Sequence, residues 1–372
     1  MGVASNKGSN GSRITVFRIL LSIPKAPFRG PHGAPTIRRH ISYGALRAFA
    51  GALDSREYQA VLPSTRTSFS LFSRLKGLPQ QIIRLSDGTE ALWLGSPEEH
   101  KVILYCHGGG YCAPITPEDM GFMLETQRQT GNVSVLVMAY GWSFTCHLCI
   151  IVAEIDAVVR IDLAPGHPYP RQLQQVTTVM RYLLEDLNKI PSDISLFGQS
   201  AGGHLILSLL SHISHPHPTI PSLRVNGKFK NAVLMSPWPN ANILTSSKKY
   251  NEQKDILPIS GLQMWHKHFL GNAEVDPYNS PISAPPSWWN DLNVGDIMIT
   301  AGGNEIIRSD IETLATALKV FTLGCITIQA NPKPQMNHLG KNSEFHPKNN
   351  ILFDNIVVIW LYADFIVANM IC

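Results

Sequence analysis

The residues of this chain with chemistry to perform are a serine between two glycines, three glycines after a histidine, and a carboxylate and two histidines further on. The serine is Ser200, in Gly198-Gln199-Ser200-Ala201-Gly202, preceded by Ser195-Leu196-Phe197 and followed by the helical run Gly203 to Leu210. A strand that turns this tightly into a helix forces its central residue into a strained backbone and tolerates only small neighbours. Glycines at 198 and 202 meet that demand. The turn would lift the Ser200 hydroxyl over the N-terminus of the helix, where the Ala201 N–H faces a developing oxyanion. On its own the pattern is equally a glycine-rich turn, so its meaning depends on what surrounds it.

About 90 residues upstream, the buried-strand pattern Lys101 to Cys106 ends in His107-Gly108-Gly109-Gly110-Tyr111. Successive glycines let a backbone approach a substrate closely, so the N–H groups of Gly108 and Gly109 are expected to join that of Ala201 in an oxyanion hole. Each such donor contributes roughly 3–4 kcal/mol to a transition state. A serine nucleophile also needs a histidine base, and the base needs a carboxylate, in chain order Ser, Asp/Glu, His. After the strand pattern Ile297 to Thr300, the turn Ala301-Gly302-Gly303-Asn304-Glu305 offers one carboxylate, Glu305. Asp310 falls at the start of a helix, where a first-turn dipole role is simpler. Two histidines follow the last strand pattern, Cys325 to Gln329: His338, about nine residues on, and His346, in a polar stretch. Glu305 is favoured as the acid and His338 as the base.

These groups need a scaffold. Gln81 to Leu85 and Glu90 to Leu94 flank the turn Ser86-Asp87-Gly88-Thr89 and predict a hairpin. Short Val/Ile/Leu-rich runs follow at Val102–Cys106, Val133–Met138, Ile194–Phe197, Ala232–Met235, Ile297–Thr300 and Cys325–Gln329, with helical patterns at Gln172–Leu187, Gly203–Ile213 and Ile311–Val320. Strand alternating with helix predicts an α/β domain whose mostly parallel central sheet is flanked by helices on both faces. Residues 1–36 are rich in Gly, Ser, Pro and Arg and predict a disordered leader, leaving 37–372 as one domain. Amphipathic helices at about 37–75 precede the first strand, and the excursion 239–285 interrupts the strand rhythm; together they predict a helical cap over the site. The aromatics of the excursion, Tyr250, Trp265, Phe269 and Tyr278, could line an acyl or alcohol site or form its own small core.

Composition excludes other classes. Of 372 residues 16% are charged, the net charge is +4 and no basic run occurs, which argues against a nucleic-acid partner. Six cysteines, irregularly spaced, do not make a disulfide scaffold, and Cys146-His147-Leu148-Cys149 lacks the second pair of a metal site and reads as ordinary buried thiols. The run Ile14 to Leu21 is broken by Arg18, lacks a cleavage site and is too short to span a bilayer; Asn6 breaks the myristoylation pattern. The expectations are no transmembrane segment, no cofactor or metal, a cytoplasmic location and an ester-bearing small molecule as partner; nothing in the sequence bears on oligomeric state.

The motifs together resemble the α/β-hydrolase fold-3 group, the hormone-sensitive-lipase-like or G-D-x-G lipolytic family, and especially its fungal esterases. The resemblance runs from about Arg39 to Leu318. It rests on His107 to Tyr111, on Gly198 to Gly202, on Asp162-Leu163-Ala164-Pro165-Gly166-His167-Pro168-Tyr169-Pro170, similar to that family's L-A-P segment before a helix, and on Gly303-Asn304-Glu305-Ile306-Ile307-Arg308 in the place of its acid motif. It implies an α/β-hydrolase fold with a cap, Ser200 as nucleophile, Glu305 as acid where the family usually has Asp, His338 as base, and Gly108, Gly109 and Ala201 as oxyanion donors. It also implies a serine carboxylic-ester hydrolase acting on a small acylated metabolite. Acyl transfer or amide hydrolysis by the same triad, and a non-catalytic ligand-binding role, are the alternatives. In the family the strand ending in Tyr runs almost directly into the L-A-P segment, whereas here Gly141 to Ile161 intervenes. That insert is either an extra cap element or an intron read as coding sequence. The apolar terminal run Ile351 to Cys372 predicts a final packed helix or an unnatural extension.

Overall fold

A computed structural model describes residues 37–130, 133–139, 163–239, 246–321 and 326–330. The predicted leader 1–36, the insert 141–161, Cys146 and Cys149, both candidate bases His338 and His346, and the terminal run from Ile351 lie outside the described residues. Three helices come first, α1 (Ile37–Ala52), α2 (Ser55–Val61) and α3 (Thr65–Lys76), followed by strands β1 (Gln81–Arg84), β2 (Glu90–Leu94) and β3 (Lys101–Cys106). Then come α4 (Pro117–Thr130), β4 (Val133–Ala139), α5 (Arg171–Arg181), β5 (Ile194–Gln199), α6 (Ala201–Ser214) and β6 (Phe229–Met235). The chain continues through α7 (Ser246–Asn251), α8 (Ile259–Leu270), β7 (Val294–Gly302), α9 (Arg308–Phe321) and β8 (Ile326–Ala330).

The eight strands form one sheet in the order β1-β2-β4-β3-β5-β6-β7-β8. The expected hairpin is present, with Arg84 opposite Glu90, and β2 pairs antiparallel with β4. From β4 to β8 all neighbours are parallel. Parallel strands need crossovers, and the helices that make them cover both faces, so central strands are apolar on both sides. Alternation divides the core accordingly. Val102, Leu104 and Cys106 of β3 face one cluster with α5, α6 and α9; Ile103 and Tyr105 face the other with Met120 and Met123 of α4.

Two departures from the sequence reading stand out. Helix α4 has no counterpart among the predicted helices. Its apolar side chains are few and Gly121 lies near its centre, so the helical period is weak; the residue types that begin it, Pro117 at the first position and Glu118 and Asp119 in the first turn, are the signal that was there. The second concerns the early helices, which do not act as one unit. Phe69 and Phe72 of α3 join the cluster on the α4 face of the sheet. By contrast α1 and α2 pack against α8: the Tyr58 and Trp265 rings are 6.0 Å apart and edge-on, and His268 Nδ1 and Ser55 Oγ are 2.7 Å apart. Trp265 and Phe269 of α8 are buried, as is Tyr278, against Tyr58, Tyr111 and His217 outside the excursion, while Tyr250 is 56% exposed, so these aromatics dock the excursion on the rest of the domain rather than forming a core of its own.

Candidate active site

Strand β5 delivers Ser200 at its end, with φ 51° and ψ −114°, as the residue immediately before α6. No side chain tolerates that conformation without strain, of about 1–3 kcal/mol, unless the surroundings hold it. They do so from both sides: Ser200 N–H donates to the Met235 carbonyl at 2.9 Å, and the Ser200 carbonyl accepts from His204 and Trp238 N–H, both at 3.0 Å. The flanking glycines are required by contact. A Cβ on Gly202 would lie 1.8 Å from the Cys106 carbonyl oxygen, and one on Gly198 would lie 2.4 Å from the carbonyl oxygen of Gly202. Ala201 is the first residue of α6, so its N–H has no carbonyl one turn earlier to bond.

The loop after β3 curls back toward this turn. Gly109, Gly110 and Tyr111 all have positive φ, at 105°, 60° and 60°. Gly108 is placed beside the serine, since a Cβ on it would lie 3.5 Å from Ser200 Cβ. The loop is held by groups that the sequence did not single out. Gln59 of α2 is buried and donates from Nε2 to the carbonyls of Cys112 (2.9 Å) and Ala164 (2.8 Å), and Ala164 N–H donates to the Tyr111 carbonyl at 3.0 Å. The L-A-P segment therefore packs directly on the glycine loop. Trp265 closes the other side, where a Cβ on Gly110 would lie 2.7 Å from its ring. Tyr111 stacks on Phe269 at 4.3 Å between ring centres and hydrogen-bonds His204 Nδ1 through its hydroxyl. Burial pushes His204 down to about 3. It is neutral, and although four residues from Ser200 it is a core residue.

Glu305 follows β7, two strands from Ser200, in a turn where its own N–H donates to the Gly302 carbonyl at 3.2 Å. Its Oε1 accepts from Ser236 Oγ at 2.5 Å and from Gly302 N–H at 2.7 Å. Ser236 follows β6 with φ 46°, and its N–H donates to the Thr300 carbonyl at 2.9 Å. Oε2 is buried with no hydrogen-bond partner among the described residues. Burial pushes the Glu305 carboxyl up to about 7, with the Ser236 hydroxyl pulling it back and Asp255 pushing it further up. Asp310 lies in the first turn of α9, as expected, and is buried.

The sequence-predicted residues thus divide. Ser200, Ala201 and Gly108 come together, Gly109 belongs to the same loop, and Glu305 sits at the matching edge two strands away; the candidate base is outside the described residues. Sequence reasoning missed Ser236, Gln59 and Gln199, whose Oε1 accepts from Tyr105 OH at 3.1 Å beneath the serine turn. For Ser236 a signal existed, a serine and proline closing a strand next to the serine turn. For Gln59, in the middle of a helix, none did.

A stability prediction follows from the buried carboxyl alone. A proton affinity raised in the folded state favours folding below the ordinary value of 4.5, and that advantage is lost as pH rises through 7. Glu305→Gln cannot titrate. The variant is expected to gain on the parent by on the order of a few kcal/mol between pH 4 and pH 8. Melting temperatures of both proteins across that range test it, and a pH-independent difference would mean that the folded carboxyl is already ionised, as a cationic partner against Oε2 would make it.

Sheet order, crossovers and the strained serine turn define the α/β-hydrolase class. Within it, the chain belongs to the steryl acetyl hydrolase family, whose pattern it matches over residues 93–323. It is 23% identical over 240 residues to steryl acetyl hydrolase 1 of Saccharomyces cerevisiae, covering 62% of this chain and 50% of that one. It is 30% identical over 159 residues to an esterase of Acinetobacter venetianus, covering 41% of this chain and 48% of that one. The chain therefore spans about half the length of these relatives. The fold is similar to that of an esterase from the bacterial hormone-sensitive lipase family, with a TM-score of 0.55 at 22% identity over 80% of this chain and 88% of the other. The resemblance read from the motifs is borne out. Among the described residues no helix is long and apolar enough to cross a membrane, and no group of three or more His, Cys, Asp or Glu is placed to hold a metal ion.

Proposed function

We propose that the protein is a serine carboxylic-ester hydrolase that removes acetyl groups from esters of a bulky apolar alcohol, of the sterol type named for its relatives. The observation that carries the reading is the strained Ser200 with Gly108 against it. Strain at a residue clamped from both sides is kept where it positions a reacting group.

In this reading Ser200 Oγ attacks the ester carbonyl while His338 takes its proton. His338 is preferred to His346 on its place in the sequence, about nine residues past the Cys325 to Gln329 run. The negative charge that develops on the carbonyl oxygen is stabilised by the N–H groups of Gly108, Gly109 and Ala201. Glu305 orients the imidazole and stabilises its charged form; Oε2, buried and without a hydrogen-bond partner among the described residues, is the atom for that bond. The alcohol leaves with the proton, the acetyl group stays on Ser200, and water activated by the same histidine releases acetate. Helices α2 and α8, packed on the glycine loop, and α1, packed on α8, form the cap, and a cationic imidazole against Glu305 would draw its proton affinity back down.

Hydrolysis of cholesteryl acetate and of p-nitrophenyl esters from acetate to palmitate, by the purified protein, tests the reading. The expected result is turnover of the sterol acetate and a kcat/KM on the p-nitrophenyl series that is highest at acetate and falls by ~10-fold or more by the octanoate. Folded protein that hydrolyses none of these esters would overturn it. A preference for long acyl chains would overturn the acetyl assignment while leaving the esterase.

A further inference from the structure

The turn that carries Glu305 is gripped from outside the sheet. Ser247 Oγ donates to the Ile306 carbonyl at 2.7 Å and accepts from Ser309 N–H at 3.2 Å. Asn251 Nδ2 donates to the carbonyls of Glu305 (2.9 Å) and Gly303 (3.4 Å). Asp255 Oδ2 accepts from Ile306 N–H at 2.7 Å, and its Oδ1 from Leu257 N–H at 3.0 Å. Arg47 of α1 completes the strap, donating from Nη1 to the Asp255 carbonyl at 2.5 Å. Both polar groups of Ile306 and the carbonyl of Glu305 are therefore held by side chains of the segment 246–257. The six residues of α7 are too few to be stable alone, so this segment is ordered by what it grips.

Asp255 is the unexpected member. Its side chain is buried, as is the carboxyl of Glu305, and two buried carboxylates at neighbouring positions repel. A neutral acceptor would satisfy the Ile306 N–H without that cost. We propose that Asp255 is a positioning residue for the acid of the triad, fixing the Glu305 turn through the Ile306 N–H and supplying negative charge that strengthens the hold of the acid on the imidazolium. The proposal rests on Glu305 being that acid. A displacement of about 1 Å at the 305–306 peptide would be carried to the carboxylate and from there to the base, a distance that costs catalysis up to about 100-fold. The charged groups facing Glu305 are Asp255 from the strap and Arg308 of α9, whose Nε pairs with Glu312 at 2.8 Å; the Ser236 hydroxyl reaches it from β6, and Arg47 faces Asp255 from α1.

The test compares Asp255→Asn, Asp255→Ala and Glu305→Gln by the pH dependence of kcat and KM on p-nitrophenyl acetate. Asp255→Asn keeps one oxygen for Ile306 N–H, gives up the bond from Leu257 N–H and removes the charge. It is expected to hold plateau kcat within about 3-fold and to move the acidic limb of kcat/KM to lower pH by roughly half a unit or more, because loss of a neighbouring negative charge lowers the proton affinity of the base. Asp255→Ala also frees the turn, and kcat is expected to fall about 10- to 100-fold with KM nearly unchanged. If the limb stays in place in Asp255→Asn, the charge plays no part and the proposal is overturned, whether or not the alanine variant folds. Equal kcat in the alanine variant and the parent would overturn the positioning half. Full activity in Glu305→Gln would instead remove the acid assignment itself. A collapse of that variant beside silent Asp255 variants would leave the acid in place and reject only the strap.

Discussion

Ser200→Ala is expected to lose activity toward p-nitrophenyl acetate by roughly 10⁴–10⁶-fold in kcat while remaining folded. Removing the nucleophile of a triad costs that much because its members act as a unit, and what survives comes from the oxyanion donors and binding alone. Alanine suits the site sterically, being smaller than serine, and the backbone bonds that clamp position 200 come from Met235, His204 and Trp238 main chain and are untouched. The expected melting temperature is within about 2 °C of the parent, since only one small group is lost. Burst kinetics give the complementary measurement: the parent should release p-nitrophenol stoichiometrically before steady state if deacylation is slow, and the alanine variant should show no burst. A variant with more than a tenth of parental activity would show that another group performs the attack.

Gly202→Ala is expected to have the largest effect on folding of any glycine-to-alanine change among the described residues. The new Cβ would be 1.8 Å from the Cys106 carbonyl oxygen and 2.7 Å from that of His107, both backbone atoms of β3 and the glycine loop. Such neighbours cannot swing aside like a flexible side chain, so either α6 lifts from the sheet or β3 is displaced. Destabilisation of about 4 kcal/mol or more, or failure to accumulate as soluble protein, is the expected outcome. Gly227→Ala makes the control. Gly227 has a positive φ, at 108°, which Gly202 inside α6 does not, and nothing lies within 4 Å of its added Cβ, so its cost is limited to backbone strain of about 1–2 kcal/mol. Urea midpoints of the two variants separate contact from conformation. Equal midpoints would mean that the serine turn relaxes freely, contrary to the clamped geometry at Ser200.

The two predictions concern one turn, and they explain why activity and stability meet there. The strain at Ser200 is tolerated because β5 is paired on both sides, with β3 and β6, and because Met235 and Trp238 main chain fix the residue from the neighbouring strand. The glycines that make the turn possible bring α6 close to the glycine loop, which sets Gly108 beside Ser200. Loosening the turn would relieve strain and separate the two.

Local sequence determined the strands, the hairpin, the serine turn and the glycine loop, because each is built from neighbouring residues whose types have one structural use. Short β-branched runs between turn residues make strands wherever they fall, and a serine flanked by glycines between strand and helix has few conformations open to it. Glu305 was readable for the same reason, as the one carboxylate in the turn after β7. Tertiary structure alone decided what holds these groups. Gln59 meets Cys112 and Ala164, Ser236 meets Glu305, and Asp255 meets Ile306, pairs separated by about 50 residues or more, each through a polar side chain whose type is equally at home in a solvated loop. The same holds for α3, which the pattern grouped with the early helices and which packs on the opposite face of the sheet through Phe69 and Phe72. Amphipathic spacing says that a helix has a buried face; only the layers stacked around the sheet decide which surface buries it.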